Sequence, residues 1–170
     1  MIPLYNRLVT VIPLLFCLSL SAQELTMDDI ISMRKLPVER IDSIVRSKQF
    51  AQTKKEQDSG FSSVKYTWLL RTDTSLIQRT FTVGLKNGGE LELQYAVYQQ
   101  KDAEACFGWL DKNGFKKTIT KMPDKDGKTM FEYTFFTKKN QSIGYDEKEY
   151  DSIDKKEKVY IFSVNTFDFP

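Results

Sequence analysis

Apolar residues recur at helical spacing in two stretches of the chain, which predicts two amphipathic helices with one buried face each. We expect the first to start with Pro37 and to end near Lys48. We expect the second to have Asp102 at its N-cap and to stop at Gly114. The apolar positions are Val38, Ile41, Ile44 and Val45 in the first, and Cys106, Trp109 and Leu110 in the second. Thr26, which precedes two acidic residues, predicts the N-cap of a further helix at the start of the domain.

Between and after these helices, apolar and polar residues alternate with a period of two, which predicts strands with one buried face. The alternating stretches are 64–71, 80–85, 91–98 and 131–135, and a last strand is expected at about 158–164. In this pattern Trp68 and Tyr133 belong to the buried face. Asn87-Gly88-Gly89 and Asp126-Gly127 predict hairpin turns. The densely charged segment 146–158 predicts a solvated loop or a wide hairpin.

The pattern repeats itself at a spacing of 65 residues, because apolar positions of the first half fall opposite apolar positions of the second. Ile41, Ile44, Val45 and Phe50 fall opposite Cys106, Trp109, Leu110 and Phe115. The chain is therefore predicted to be an α+β protein made of two helix-plus-antiparallel-sheet repeats, at about 26–100 and 101–167. We expect the helices to pack on one face of one sheet of roughly eight strands, or of two smaller sheets.

The first 22 residues have the three parts of a cleaved secretory signal peptide. Arg7 precedes an apolar run from Leu8 to Leu18, and small residues follow up to Ala22. This predicts cleavage after Ala22, an exported domain over 23–170, and a periplasmic or extracellular location. The run is shorter than the about 20 apolar residues of a membrane-spanning helix, so an anchor is the less favoured interpretation.

Composition restricts the chemistry of this domain. The full chain has a formal charge of +2 and no histidine. Removal of Arg7 leaves a nearly neutral domain, which argues against a nucleic-acid partner. A chain without histidine lacks the commonest general base and metal ligand. Cys106 is the only cysteine after residue 22, so no internal disulfide is expected. We predict no enzymatic activity, no cofactor, no metal site and, after cleavage, no membrane contact.

The face of the sheet opposite the core carries the candidate site. Its predicted polar positions include Thr82, Glu92 and Gln94. Apolar groups interrupt them, and the residues predicted to form a binding face are Leu69, Arg71, Tyr98, Met130, Glu132 and Phe136. Apolar side chains within a polar surface are typical of protein-binding patches. The leading hypothesis is a non-enzymatic module that binds a protein partner in the cell envelope.

Two alternatives stay open at this point. Trp68, Trp109 and Tyr133 would line a cavity for a small hydrophobic ligand in a carrier protein. A pair of carboxylates that converge in a cleft would instead suggest an enzyme.

Two resemblances accompany these patterns. The segment Leu20-Ser21-Ala22-Gln23 resembles the cleavage region of exported proteins from Bacteroidota-type bacteria. The tandem helix-and-sheet plan over 26–164 resembles the beta-lactamase inhibitory protein and related periplasmic assembly factors. That resemblance implies a concave sheet that meets a protein partner. It identifies no functional residue here, because no binding motif of that family matches this sequence.

Overall fold

The computed structural model describes residues 24–71, 76–86, 89–123, 127, 129–151 and 156–165, and it has an α+β fold. The predicted signal peptide and the turn residues Asn87, Gly88 and Asp126 lie outside these ranges. The helices are α1 (Met27–Met33), α2 (Val38–Ser47) and α3 (Gln100–Lys112). The strands are β1 (Ala51–Asp58), β2 (Phe61–Arg71), β3 (Leu76–Lys86), β4 (Leu91–Val97), β5 (Lys116–Pro123), β6 (Met130–Lys138), β7 (Gln141–Asp151) and β8 (Lys156–Asn165).

All eight strands form one antiparallel sheet in the order β1-β2-β3-β4-β8-β7-β6-β5. Within the group β1–β4 and within the group β5–β8, each strand pairs with the strand that follows it in the sequence. The two groups meet where β4 pairs with β8. Tyr95 lies opposite Phe162 at this central pairing. Of the two arrangements expected, one sheet of roughly eight strands or two smaller sheets, the structure has the single sheet.

The register gives the sheet two different faces. The inner face is defined by the row Tyr66, Phe81, Tyr95, Phe162 and Tyr145, which are partners across five consecutive strands. Four of the five are buried, and Tyr145 is partly buried. The outer face is defined by the next row, Lys65, Thr82, Gln94, Ser163 and Gly144. The core therefore lies on the inner face, whereas polar side chains dominate the outer one.

Helix and sheet are joined by contacts to inner-face residues. The hydroxyl of Tyr66 donates to Asp42 of α2 over 2.7 Å. The ring of Phe107 on α3 lies 5.4 Å from that of Phe162. These contacts join α2 to β2 and α3 to β8, and α3 also contacts β4, so it lies near the centre of the sheet.

The helix starts are predicted only in part. Thr26 is the N-cap of α1, as expected, and it forms a capping box with Asp29. Pro37 is the N-cap of α2 instead of its first residue. The prediction for α3 is wrong, because the helix begins at Gln100 and its N-cap is Gln99. Asp102 instead lies in the first turn of α3 and directs its carboxylate at Arg79.

The helix ends repeat at the predicted spacing of 65 residues. The backbone N–H of Phe50 donates to the carbonyl of Val45, and that of Phe115 donates to the carbonyl of Leu110. The residues before the two phenylalanines, Gln49 and Gly114, have φ values of 66° and 76°. Each helix therefore ends in the same left-handed turn, which places a phenylalanine back on the core.

In strand β6 the residues that face the core are the opposite set from the one predicted. Phe136 pairs with Ile143, and Thr134 pairs with the inner-face residue Tyr145. Even-numbered positions of β6 therefore face inward, while Tyr133 faces outward. Apolar residues occupy both sets of positions in this strand, so alternation alone could not select the buried one. Phe136 takes the buried position because it packs against α3, where its ring lies 5.7 Å from that of Phe107.

Candidate functional site

The outer face contains a cavity of about 290 Å³, called here the outer pocket, close to the turn between β1 and β2. Its described lining residues are Glu56, Phe61, Ser63, Thr82, Gly84, Glu92 and Gln94. They come from four adjacent strands. The lining combines two carboxylates, an amide, two hydroxyls and one aromatic ring.

Strand register brings these residues together. Ser63 pairs with Gly84, and Gly84 pairs with Glu92, which makes one row across β2, β3 and β4. Thr82 and Gln94 pair in the next row. The missing side chain of Gly84 leaves room for the ring of Phe61, because a Cβ atom at position 84 would lie 2.9 Å from two ring carbons. The glycine therefore lets the ring lie against the sheet as one wall of the pocket.

The polar side chains of the outer pocket form a partly ordered network. The Gln94 amide donates from Nε2 to Oε1 of Glu92 over 2.8 Å. The second carboxylate oxygen of Glu92 lies 3.6 Å from Nζ of Lys86. Glu56 forms an ion pair with Lys54 on the same strand. None of the described residues that line the pocket is itself basic, so the lining is negatively charged.

Asn165 adds an unusual acceptor beside this network. It lies opposite Glu92 in the β4–β8 pairing, on the outer face. Its Oδ1 atom is buried and has no hydrogen-bond partner within the part of the chain that the structure describes. A buried acceptor without a donor costs about 1–3 kcal/mol.

Three of the six residues predicted for the binding face do lie on the outer face, at the opposite end from the outer pocket. Leu69 and Arg71 are outward positions at the end of β2, and Leu69 is 57% exposed. Tyr98 follows the last residue of β4 and makes an edge-to-face contact with Tyr150, with ring centroids 5.8 Å apart. This set, Leu69, Arg71 and Tyr98, is called here the upper patch.

The other three residues are not part of that surface. Met130, Glu132 and Phe136 occupy inward positions of β6, so the expected six-residue face does not exist as one surface. Phe136 is buried in the core, at 9% exposure. Met130 is exposed, and Glu132 forms an ion pair of 3.1 Å with Lys121 of β5. The outward residues of β6 are instead Phe131, Tyr133 and Phe135.

A second, smaller cavity of about 170 Å³ lies on the inner side between the start of α1, α3 and the sheet. It is lined in part by Trp109, Tyr95, Cys106 and Arg79. Of the aromatic residues expected around a ligand, Trp109 is present, whereas Tyr133 is on the outer face. The cavity is smaller than the about 300 Å³ of typical ligand pockets.

Buried charge beside this smaller cavity is paired. Nε of Arg79 donates to Asp102 over 3.0 Å, and its Nη1 lies 3.0 Å from the carboxylate of Glu24. The guanidinium also lies 4.9 Å from the ring centroid of Trp68. Burial opposes its charge, but the hydrogen bond to Asp102 and the charges around the guanidinium together outweigh this and raise the pKa of Arg79. These contacts fasten the N-terminal segment and α3 to β3.

Cys106 lies at the edge of the same cavity and is buried. Burial, assisted by the nearby Asp102 carboxylate, raises the pKa of its thiol to about 12. The thiol is therefore protonated at neutral pH, which is typical of a structural cysteine rather than a nucleophile.

Three of the six side chains that line the outer pocket were predicted on the polar face of the sheet. Thr82, Glu92 and Gln94 were predicted on the polar face, but Glu56, Phe61 and Ser63 were missed. Phe61 could have been noticed from the sequence, because it directly follows the turn glycine Gly60. Glu56 had no signal, because β1 is exposed along its whole length and shows no alternation.

Two further observations bear on the surface as a whole. Over the described ranges, no three or more cysteine, aspartate or glutamate side chains come together in a way that would hold a metal ion. No helix in those ranges is long and apolar enough to cross a membrane.

Comparison with known proteins found no match: no family model fits the chain, and no curated protein or solved structure is significantly similar to it.

Proposed function

We propose that this chain is an exported, non-enzymatic binding module that presents its outer sheet face to a protein partner. The observation that carries this proposal is the outer pocket, a concave polar site on the sheet face opposite the core. The upper patch, on the same face, adds an exposed leucine and a tyrosine to the surface. A polar surface with a few apolar anchors has the composition of a transient protein interface.

The proposal includes a layered arrangement in which the helices cover only the inner face. It is supported by the contacts of Asp42, Asp102 and Phe107, each of which is made with an inner-face side chain. A sheet whose inner face is covered by the described helices leaves its outer face free of those helices.

We also infer that the fold consists of two tandem repeats. The helix ends with identical hydrogen bonds at a spacing of 65 residues support this, as does the mirrored strand order around the β4–β8 pair. In the outer pocket, however, every described residue belongs to the first half of the chain. The proposed site is therefore a feature of one repeat.

A carboxylate-based enzyme is the second candidate, since Glu56 and Glu92 both line the outer pocket. Acid–base catalysis by two carboxyl groups needs different environments for the two, so that one can hold a proton. Here each carboxylate has a lysine partner, Lys54 for Glu56 and Lys86 for Glu92. This similarity favours binding over catalysis.

The chain offers a matched pair of variants to test the proposal. Leu69 and Leu70 are neighbours with 57% and 43% exposure, but they lie on the outer and inner faces respectively. The tagged protein is captured from the envelope of the organism that makes it. Leu69→Asp should reduce the recovery of a bound protein, while Leu70→Asp should not. Equal recovery with both variants would contradict the use of the outer face.

A further inference from the structure

We propose that the outer pocket takes the guanidinium group of an arginine side chain that the protein partner presents. The inference rests on the proposed function and adds the chemistry that the partner must supply. It is based on the charge, the shape and the acceptor groups of the pocket.

Charge selects a cation. Glu56 and Glu92 both line the pocket, and no basic residue is among its described lining. Glu56 is already paired with Lys54, so Glu92 is the carboxylate that a guest would meet. The nearest cation to Glu92, Lys86, is 3.6 Å away and is itself half exposed. An interaction at that distance is longer than a charge-assisted hydrogen bond, so a guest with better geometry would displace it.

Shape selects a planar cation. The ring of Phe61 is held against Gly84 and remains 39% exposed. A flat guanidinium can stack on an aromatic ring while its N–H groups point to a carboxylate in the same plane. A lysine ammonium would satisfy the charge but would not use this wall.

The acceptors around the pocket also match a donor-rich guest. Glu92 accepts one hydrogen bond, from Gln94, and retains lone pairs for others. The hydroxyl groups of Ser63 and Thr82 and the side-chain carbonyl of Gln94 are further acceptors in the lining. A guanidinium carries five N–H donors and no acceptor, which fits a site of this kind.

The test is a titration of the ¹⁵N-labelled domain, residues 23–170, with N-acetyl-arginine amide, followed through the backbone amide resonances. N-acetyl-citrulline amide is the matched probe, because it keeps the shape of arginine without the charge. We expect arginine to shift Thr82, Gly84 and Gln94 with a Kd of about 1–10 mM, as befits one small ligand group. Citrulline should bind roughly three- to tenfold more weakly.

Two variants in the pocket and one outside it test whether arginine binds at this site. Glu92→Gln and Phe61→Leu should each weaken arginine binding roughly threefold or more. Glu149→Gln removes an exposed carboxylate from the inner side of β7 and should change nothing. Thermal melting confirms that each variant is folded before it is titrated.

Equal binding of arginine and citrulline would overturn the inference. So would an unchanged affinity in Glu92→Gln, or a neutral saccharide such as maltose that shifts these amides when arginine does not. These outcomes are separate from the proposed function: if capture of a partner still depends on Leu69, the outer face binds a partner and only the arginine chemistry is wrong.

Discussion

Arg79 of β3 and Asp102 of α3 are joined by a hydrogen bond of 3.0 Å between two largely buried side chains. The pair links the only helix of the second half of the described chain to a strand of the first. Among the described strands, β4 and β8 are the pair that joins the two halves, and this side-chain contact is a further connection between them. Its removal should therefore weaken the whole fold.

We expect Asp102→Asn to lower the free energy of unfolding by about 2–3 kcal/mol, because the buried guanidinium loses its buried carboxylate partner and keeps Glu24, which is largely exposed. Glu104→Gln on the same helix is the control, since Glu104 is exposed and accepts only from Gln100. That change should stay within about 0.5 kcal/mol. Urea unfolding at neutral pH measures both, and a loss of less than about 1 kcal/mol in Asp102→Asn would argue against a structural role for the pair.

The two helix ends allow a reciprocal test. Gln49 holds a left-handed conformation that Gly114 holds at the equivalent position, and only glycine adopts it without strain. Gln49→Gly should therefore raise the free energy of unfolding by about 0.5–1 kcal/mol, and Gly114→Gln should lower it by about 1 kcal/mol. Urea unfolding gives both values. Destabilisation by Gln49→Gly would mean that the glutamine side chain stabilises the turn in some other way.

The capping box of α1 predicts a dependence on pH. Burial opposes the charge of Asp29, but the hydrogen bonds from Thr26 and the ammonium of Lys48 outweigh this and lower its pKa. A carboxylate whose pKa falls on folding stabilises the fold above its unfolded pKa of about 3.9, and this contribution is lost as the pH falls through the folded pKa.

Asp29→Asn should accordingly lower the free energy of unfolding by about 1 kcal/mol at pH 7. The difference from the wild type should shrink below about pH 4. Asp28→Asn, in the same helical turn, serves as the control and should show little change at either pH. Urea unfolding at pH 7 and pH 3 measures the effect, and a difference that grows on acidification would contradict the assigned sign.

The register of β6 can be checked with two truncations. Phe136→Ala should lower the free energy of unfolding by about 3 kcal/mol, since Phe136 packs in the core against Phe107. Tyr133→Ala should lower it by less than about 1 kcal/mol, because Tyr133 is 43% exposed on the other face. A larger loss in Tyr133→Ala than in Phe136→Ala would contradict this register and would mean that Tyr133 faces the core.

The sequence predicted the strands that have one buried face and one solvent-exposed face. Tyr66, Phe81 and Tyr95 lie in clean alternating stretches, and all three face the core as expected. The edge strands β1 and β5 were not recognised, because nearly all of their side chains are exposed and neither face imposes a pattern. Their lysines are consistent with edge positions, where charge discourages pairing with other chains.

The candidate site was predicted less completely, for a physical reason. Half of the outer pocket depends on residues brought together by cross-strand register, such as Glu56 and Glu92, which lie far apart in the sequence. The place of Phe61 depends on the absence of a side chain at Gly84. Such relationships appear only once strands are paired, whereas the polar character of Thr82, Glu92 and Gln94 is visible beforehand.

Site-specific photo-cross-linking is the direct test of whether the outer face binds a protein partner. A photoreactive residue is placed at Leu69 or Phe61 on the outer face, and at Leu70 or Glu104 as controls on the inner side and on α3. We predict that Leu69 and Phe61 cross-link to the same protein in the envelope, while the controls do not. Cross-links from Leu70 and Glu104 alone would contradict the account.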